Sequence, residues 1–184
     1  MAQTNQRIEE DLRGLISGQV LCDDLNLQLY ASDASIYQIR PLCVVRPTST
    51  ADVAACLRYA SENAIAVHAR GAGTGLAGES LGPGMVLDFS YAMRRIVATD
   101  EQSVRVQPGV VHAMLVEHLR PWGRTFGPDP AMSHVTTLGS VIANDTSGSR
   151  RLRHGSARDH VLNLQVVLAD GTVMEVGRHP VHPV

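Results

Sequence analysis

The pattern of hydrophobic and polar positions begins with an amphipathic segment. Apolar residues between positions 4 and 17 recur three or four residues apart, which predicts a helix with one buried face. These residues are Ile8, Leu12, Leu15 and Ile16. Residues 18–41 show neither a helical nor an alternating period and are predicted to be irregular. We therefore expect residues 1–40 to form a helical N-terminal segment.

A strand–helix–strand pattern follows this segment. The apolar run between Pro41 and Pro47 predicts a short strand. Ser49 or Thr50 can cap a helix that continues through Asn63 with apolar residues spaced for a buried stripe. Residues 64–69 predict the next strand. The three elements have the usual size of a βαβ unit, so a small parallel subdomain is expected here.

The second half of the chain predicts shorter elements. The expected strands are residues 85–89, a hairpin of 95–99 and 103–107, and a strand of 161–168 that turns at Asp170-Gly171 into 173–176. The expected helices are residues 111–119 and a short turn over 137–143. Residues 126–135 are predicted to be a loop that contains proline and glycine, and 144–159 form a polar stretch.

Composition and charge narrow the possible classes of protein. The 184 residues are 44% hydrophobic and 18% charged, which is typical of one globular domain or two small subdomains. The net charge of −2 provides no basic field for nucleic acid or an anionic membrane. No apolar run approaches the roughly 18 residues of a membrane helix, and the polar, acidic N-terminus argues against a signal peptide.

Cysteine and lysine usage adds two further constraints. The three cysteines, Cys22, Cys43 and Cys56, have no metal-binding spacing and suit a reducing compartment, so we expect a cytoplasmic protein. All 16 cationic side chains are arginine, because the sequence contains no lysine. This excludes Schiff-base chemistry and a phosphate-loop lysine within the chain.

A glycine-rich loop follows the second predicted strand. Residues 73–78 match G-x-G-x-x-G, but Gly82-Pro83-Gly84 interrupts any helix that could start there. The next acidic residue that ends a strand, Asp88, comes only ten residues after Gly78, which argues against a dinucleotide fold of the Rossmann type. A strand, a glycine loop and a second strand remain, with no helix between them.

Such a loop can present successive backbone N–H groups to a pyrophosphate as an anion-binding nest. Arg70 can add positive charge, and Thr74 and Ser80 can add hydroxyl groups. The alternative is a flexible surface loop without a ligand.

Two later segments also have the composition of ligand-facing loops. Residues 127–133 contain prolines that would form a rigid wall, and 136–148 place small and hydroxyl residues around the start of a short helix. The arginines between 150 and 158 are expected to form, at least in part, a solvated face. The eight histidines form no metal-binding or acid–base constellation.

Taken in order, these segments resemble the flavin-binding half of FAD oxidoreductases of the vanillyl-alcohol oxidase and p-cresol methylhydroxylase type. The resemblance spans about Pro41 to Val176 and points to the branch that contains the flavin-binding subunit of glycolate oxidase, D-lactate dehydrogenases and D-2-hydroxyglutarate dehydrogenases. Eight stretches carry it in the family's order: 44–47 with the following helix, 70–78, 106–110, 127–130, 137–140, 144–148, 154–159 and 166–171.

The resemblance implies a two-part α+β fold with FAD extended between the parts. A parallel βαβ subdomain (41–90) would precede a subdomain with a mixed or antiparallel sheet and flanking helices (91–177), followed by a tail (178–184). The family's glycine-bearing segment and its cap domain with catalytic His and Arg residues would come after Val184, so the fold is expected to be incomplete at its C-terminal end. We therefore assign no catalytic residue and no metal ligand.

The resemblance also implies which residues bind the cofactor. The pyrophosphate would be held by Arg70, Gly71, Ala72, Gly73, Thr74, Gly75, Leu76 and Gly78. The flavin and ribityl side would be lined by Ser133, Thr136, Thr137, Gly139, Asn144, Ser147 and Gly148, and the cofactor-binding set also includes Pro128, Leu138, Gly155 and Asp159. Family members with covalent flavin carry a histidine where this chain has Thr74, so non-covalent FAD is expected. Ser140 and Asp145-Thr146 depart from the family's smaller residues.

The expected function is the FAD-binding portion of an oxidoreductase that transfers a hydride from a 2-hydroxy acid to flavin. Its partners would be a small-molecule substrate and an electron acceptor that the sequence does not identify, without nucleic acid or a membrane span. One alternative is a non-catalytic FAD or dinucleotide-binding module, or a fragment that needs a partner or a cap domain. Another is a reductase of cell-wall precursor synthesis with the same flavin fold.

Overall fold

A four-stranded sheet organises the first half of the chain. The computed structural model describes residues 2–177. The strands are β1 (Gln19–Leu21), β2 (Cys43–Arg46), β3 (Val67–Arg70) and β4 (Met85–Asp88). Their order in the sheet is β1-β2-β4-β3, in which β1 is antiparallel to β2 and the other pairs are parallel. The predicted strand–helix–strand unit is therefore present, but β4 separates its two strands.

Helices cover the sheet because their apolar positions share one face. The second predicted helix is confirmed as α3 (Thr50–Glu62). The first is present as α1 (Ala2–Arg13), but it ends before Leu15 and Ile16, and Leu15 is 57% exposed rather than on a buried face. Ser49 caps α3, since its hydroxyl accepts a hydrogen bond from the backbone N–H of Asp52 at 3.1 Å. The core between helices and sheet contains Ile8, Leu12, Val45, Cys56, Met85 and Leu87.

The prediction that residues 18–41 are irregular is wrong at two places. Strand β1 lies there, and so does helix α2 (Asp24–Leu29), which is capped by Asp23 through the N–H of Asn26 at 3.1 Å. Elements of three and six residues are too short to establish a hydrophobic period, which explains why the pattern did not predict them. The second predicted strand begins at Val67 rather than residue 64, because Ala64 adopts a left-handed conformation with φ of 54°.

The second half consists of hairpins and short helices. The predicted hairpin is confirmed as β5 (Ile96–Thr99) and β6 (Val104–Val106). The other elements are α4 (His112–Leu119), a 3₁₀ turn (Arg120–Trp122), α5 (Leu138–Ala143), α6 (Arg151–His154), α7 (Ala157–His160), β7 (Asn163–Val167) and β8 (Val173–Gly177). Strands β7 and β8 pair only with each other among the described residues, so this half has two separate antiparallel hairpins. The α+β class is confirmed.

The last hairpin packs on the first half of the chain. Val167 contacts the core beneath the four-stranded sheet, and the Thr50 hydroxyl donates to the Gln165 side-chain oxygen at 2.6 Å. Gly171 is buried against Ala54 and Arg58 of α3. The two predicted subdomains, 41–90 and 91–177, therefore share a packed boundary, and their division at residue 90 stays a prediction.

The predicted tail, residues 178–184, lies outside the described residues. None of the helices between residues 2 and 177 combines the length and the apolar character needed to cross a membrane.

Candidate functional site

The parallel strands of the sheet end at one edge, and three of them end in a charged residue. Arg46 ends β2, Arg70 ends β3 and Asp88 ends β4, with Arg70 and Asp88 directly opposite each other in register. The glycine loop leaves the sheet at this edge. It borders a cavity of about 180 Å³ lined by Leu29, Tyr30, Arg70, Gly71, Ala72, Asp88 and Ser90. Ligands of parallel sheets bind at the carboxyl ends of strands, so this edge is the candidate site.

Asp88 is a buried carboxylate, only 3% exposed, that lines this cavity. One of its oxygens accepts hydrogen bonds from the N–H and hydroxyl of Ser90, at 2.8 and 2.6 Å. The other accepts from the Tyr30 hydroxyl at 2.5 Å and lies 3.7 Å from the Arg46 guanidinium. Burial, followed by the hydrogen bond to Asp88, raises the pKa of Tyr30, so this phenol stays protonated and can donate.

Arg70 presents an unused donor beside the glycine loop. Its guanidinium lies 5.2 Å from the centre of the Tyr30 ring, and its Nη2 donates to the Ser32 carbonyl at 2.9 Å. Its Nη1 is buried and has no hydrogen-bond partner among residues 2–177. A buried donor without a partner is costly, so this nitrogen fits an oxygen acceptor supplied by a ligand.

Two glycines of the loop adopt conformations that other residues rarely take. Gly73 has a φ of +67° and Gly78 a φ of +77°. A Cβ atom on Gly73 would lie 2.6 Å from the Arg70 guanidinium, and one on Gly78 would lie 2.8 Å from the Tyr37 ring. The loop therefore needs glycine at both positions, for backbone conformation and for space.

The backbone in the middle of the loop is hydrogen-bonded to a carboxylate of the loop itself. The backbone N–H of Ala77 donates to the Glu79 carboxylate at 3.2 Å, and that carboxylate fills the space beside Gly75. The Glu79 side chain is exposed and can leave this position. Thr74 is half-buried here, whereas Leu76 is 80% exposed at the tip of the loop. One backbone amide of the loop thus donates to a carboxylate of the same loop, and the binding of an external anion by successive amides stays a prediction.

The structure brings the glycine loop and the start of α5 together. A Cβ atom on Gly71 would lie 2.5 Å from both the Thr137 and the Ser140 hydroxyl oxygens, which are 3.0 Å from each other. Thr137 is buried, so this contact is fixed. Two loops that the sequence predicted separately as ligand-facing are therefore neighbours.

The first amides of α5 are used for packing. Leu138 and Gly139 donate their N–H groups to the carbonyls of Val110 and Pro108, both at 2.8 Å. A Cβ atom on Gly139 would lie 3.0 Å from the Pro108 ring, so glycine at this position permits close approach of the 108–110 turn. Asn144 ends the helix, with its N–H donating to the Ser140 carbonyl at 3.0 Å.

The proline-bearing loop is held in place by neighbouring backbone and side-chain contacts. The His112 Nε2 donates to the Pro128 carbonyl at 2.8 Å, and burial lowers the pKa of His112 so that the ring is neutral. The backbone N–H of Asp129 donates to the Ser147 carbonyl at 3.3 Å, beside Gly148 with its φ of +76°. The carbonyls of Ser133 and Thr136 accept from the first residues of α4, Ala113 and His112, at 3.0 and 2.9 Å.

Gly155 and Asp159 form the cap of α7. The N–H of Ser156 donates to the Asp159 carboxylate at 2.8 Å, and Gly155 leads into the cap with a φ of +71°. The structure shows a capping box between Ser156 and Asp159, and Gly155 ends α6 just before it.

No sequence pattern predicted the side chains in the floor of the candidate site. Tyr30, Asp88 and Ser90 line the cavity together with Arg70, and Arg46 contacts Tyr30 and Asp88. The available signal was the charged residue at the end of each parallel strand. Within residues 2–177, no three His, Cys, Asp or Glu side chains come together in a way that could hold a metal ion.

A family model described as an FAD binding domain matches residues 41–177. D-2-hydroxyglutarate dehydrogenase of Pantoea ananatis (strain AJ13355) is 42% identical over 150 residues, which cover 79% of this chain and 15% of that protein. Glycolate oxidase subunit GlcD of Bacillus subtilis (strain 168) is 34% identical over 169 residues, which cover 88% of this chain and 36% of that one.

Among solved structures, 6-hydroxy-D-nicotine oxidase from Arthrobacter nicotinovorans superposes with a TM-score of 0.78 at 26% identity, covering 88% of this chain and 36% of that one. The chain therefore spans much less than half the length of these proteins.

Proposed function

The chain belongs to the FAD binding domain family, and from this membership we propose that it binds FAD non-covalently as part of an oxidoreductase that oxidises a 2-hydroxy acid. The cofactor class comes from the family. The substrate class is proposed for the whole enzyme, because relatives that act on D-2-hydroxyglutarate and glycolate by name are more than twice as long as this chain.

The observation that carries the proposal is the meeting of the glycine loop with the start of α5 beside the unpaired Arg70 Nη1. A pyrophosphate needs several donors and close approach to backbone. The loop can supply both once the exposed Glu79 side chain moves aside, since its glycines carry no side chains of their own and its Ala77 amide donates to a carboxylate. The residues present therefore fit the phosphate part of FAD.

The proposed roles of the loop follow from this fit. Backbone amides between Gly71 and Gly78 would hold the pyrophosphate, and Arg70 would add charge through Nη1. Thr74 cannot form the histidyl link of covalent family members, so the cofactor would be held by these contacts alone.

The second loop would face the flavin and ribityl part. Thr137 and Ser140 lie against Gly71, so a ligand held at the loop would run past their hydroxyl groups. Ser133, Thr136, Asn144, Ser147 and Gly148 belong to the same polar stretch and stay proposed contacts. Leu138, Gly139, Pro128, Gly155 and Asp159 would act by fixing the backbone around it, because their polar groups are used within the protein.

Bound FAD supplies a flavin ring that can accept a hydride from the carbon of an alcohol. The described residues of this chain bind and orient that group, and we assign none of them a catalytic role. On its own, the chain is proposed to hold the cofactor without turning over substrate. The alternative of a non-catalytic binding module differs only in whether substrate oxidation follows within a longer protein.

Purification with FAD and desalting tests the proposal. Retained visible flavin absorbance supports FAD binding, and release of the flavin on acid precipitation supports non-covalent attachment. D-2-hydroxyglutarate, D-lactate and glycolate are then added without oxygen. Bleaching of the flavin by one of them would contradict the prediction that this chain alone is inactive, and a chain that retains no flavin would contradict autonomous binding.

A further inference from the structure

A short segment outside the matched domain contacts the glycine loop at four positions. Residues 30–37 precede residue 41, where the family match begins. The contacts are Arg70 Nη2 to the Ser32 carbonyl (2.9 Å), the Ala34 N–H to the Gly73 carbonyl (3.0 Å), the Ser80 hydroxyl to the Asp33 carboxylate (2.9 Å), and Gly78 against the Tyr37 ring.

We propose that residues 30–37, here named the loop brace, position the glycine loop for ligand binding, with Tyr30 and Asp33 as positioning residues. The ligand part of this inference rests on the proposed FAD binding. The positioning part concerns the loop itself and can be tested without a ligand.

Tyr30 fixes the leading residue of the loop. Its hydroxyl is anchored on buried Asp88, and its ring lies beside the Arg70 guanidinium. The Ser32 carbonyl accepts a hydrogen bond from one guanidinium nitrogen of Arg70, Nη2. The other, Nη1, is buried and has no hydrogen-bond partner among residues 2–177. The brace therefore determines which nitrogen of Arg70 is offered to a ligand.

Asp33 fixes the far end of the loop. It accepts the Ser80 hydroxyl and also the N–H of Ser35, at 2.8 Å, which shapes the brace itself. Burial alone would raise its pKa, but the hydrogen bonds from Ser35 and Ser80 and the nearby Arg70 charge keep the pKa of Asp33 below its usual value. Asp33 is therefore a carboxylate at neutral pH and a strong acceptor.

The brace is anchored on the core at its start and contacts the loop along the rest. Tyr30 packs against a core cluster and Ala31 is buried, whereas Ile36 is 94% and Tyr37 54% exposed, so residues 32–37 bury little hydrophobic surface. A loop with this many glycines loses much conformational entropy when it becomes ordered. Contacts at both ends and at Gly73 would restrict the loop before a ligand arrives and so reduce that cost.

Native-state trypsin cleavage tests the positioning without ligand. Because the chain has no lysine, trypsin can cut only after arginine, and the Arg70–Gly71 bond lies at the start of the loop. Cleavage of a folded protein requires local opening. In Asp33→Ala, loss of the hydrogen bonds that Asp33 accepts from the Ser80 hydroxyl and the Ser35 N–H should speed cleavage after Arg70 by at least about fivefold. Cleavage after the exposed Arg151 should be unchanged.

Three further variants define the mechanism. Ser80→Ala removes only the Ser80–Asp33 hydrogen bond, from the loop side, and should speed cleavage by about fivefold. Asp33→Asn keeps one oxygen acceptor, so it should be cleaved more slowly than Asp33→Ala. Asp100→Ala is the matched control, because Asp100 caps a turn of the β5–β6 hairpin in the same way, through the N–H groups of Gln102 and Ser103. Circular dichroism checks that each variant is folded.

Ligand titration separates a loop effect from general damage. ADP carries the pyrophosphate without flavin, and riboflavin carries the flavin without phosphate. We expect Asp33→Ala and Ser80→Ala to lower the affinity for ADP and FAD by about fivefold and to leave the affinity for riboflavin unchanged. Wild-type protein that binds neither ADP nor FAD would overturn the proposed function. Equal cleavage after Arg70 in wild-type, Asp33→Ala and Ser80→Ala proteins would overturn the brace, whatever the titrations give.

Discussion

Gly71 lies so close to Thr137 that a Cβ atom on the glycine would be 2.5 Å from the threonine hydroxyl oxygen. The two residues come from loops in different halves of the chain, and Thr137 is buried. This contact joins the glycine loop to α5 and sets the width of the path that a ligand would follow between them. Any side chain at residue 71 must displace one loop or the other.

Gly71→Ala is therefore expected to reduce both stability and FAD affinity. Overpacking of this kind costs about 1–3 kcal/mol of unfolding free energy. Urea unfolding measures the loss, and flavin titration measures the affinity. Gly14→Ala is the control, because a Cβ atom there would make only an ordinary contact at 3.8 Å. Wild-type stability in Gly71→Ala would show that the two loops do not pack as described.

Tyr30→Phe should destabilise the protein by about 1–2 kcal/mol, because it removes a hydrogen bond from the buried Asp88 carboxylate. Asp88 would keep its ion pair with Arg46 and its hydrogen bond from Ser90, which limits the loss of stability. Tyr37→Phe is the matched control at an exposed tyrosine. The midpoint of urea unfolding measures both, and an equal midpoint in the two variants would contradict the role given to the Tyr30–Asp88 pair.

These residues show where prediction from sequence succeeded and where it stopped. The glycine loop and the polar stretch around residue 137 were recognisable because glycines and small hydroxyl residues gather where backbone must be approached closely. That Gly71 meets Thr137 depends on tertiary packing, which no local pattern contains. Tyr30 was missed because it lies in a stretch too short to establish a period.

The same limit applies to residues whose type was explained by a local role. Gly155 and Asp159 matched a family segment, yet the structure shows a capping box at α7. Sequence alone does not distinguish a glycine that admits a ligand from one that turns the chain into a helix, because both need the same conformational freedom.

Tyr59 should make stability fall at alkaline pH. This tyrosine is 8% exposed and donates to Asp11 at 2.8 Å, and burial together with that carboxylate raises its pKa to about 12. In the unfolded chain a tyrosine ionises near pH ~10. The unfolded state therefore loses its proton first, and the free energy of unfolding decreases as pH rises through this window.

Tyr59→Phe tests this window. The variant should be less stable than wild type near neutral pH by about 1 kcal/mol, because it lacks the hydrogen bond. Its stability should decrease less at alkaline pH, so the two curves approach each other. Burial also raises the pKa of Cys56 to about 12, but this thiol is present in both proteins and cancels in the difference. Urea unfolding curves that stay parallel across the window would contradict the assignment.

Gly73 and Gly75 should respond differently to substitution, although the sequence pattern treats them alike. Gly73 has a φ of +67° and lies against the Arg70 guanidinium, so Gly73→Val should abolish FAD retention. Gly75 has no left-handed conformation, and its close neighbour is the exposed Glu79 side chain, which can move. Gly75→Ala is therefore expected to lower the affinity for FAD by less than about threefold, and Gly73→Ala by at least about tenfold. Flavin titration of the two alanine variants compares the positions directly, and equal losses would mean that the backbone conformation at Gly73 does not determine binding.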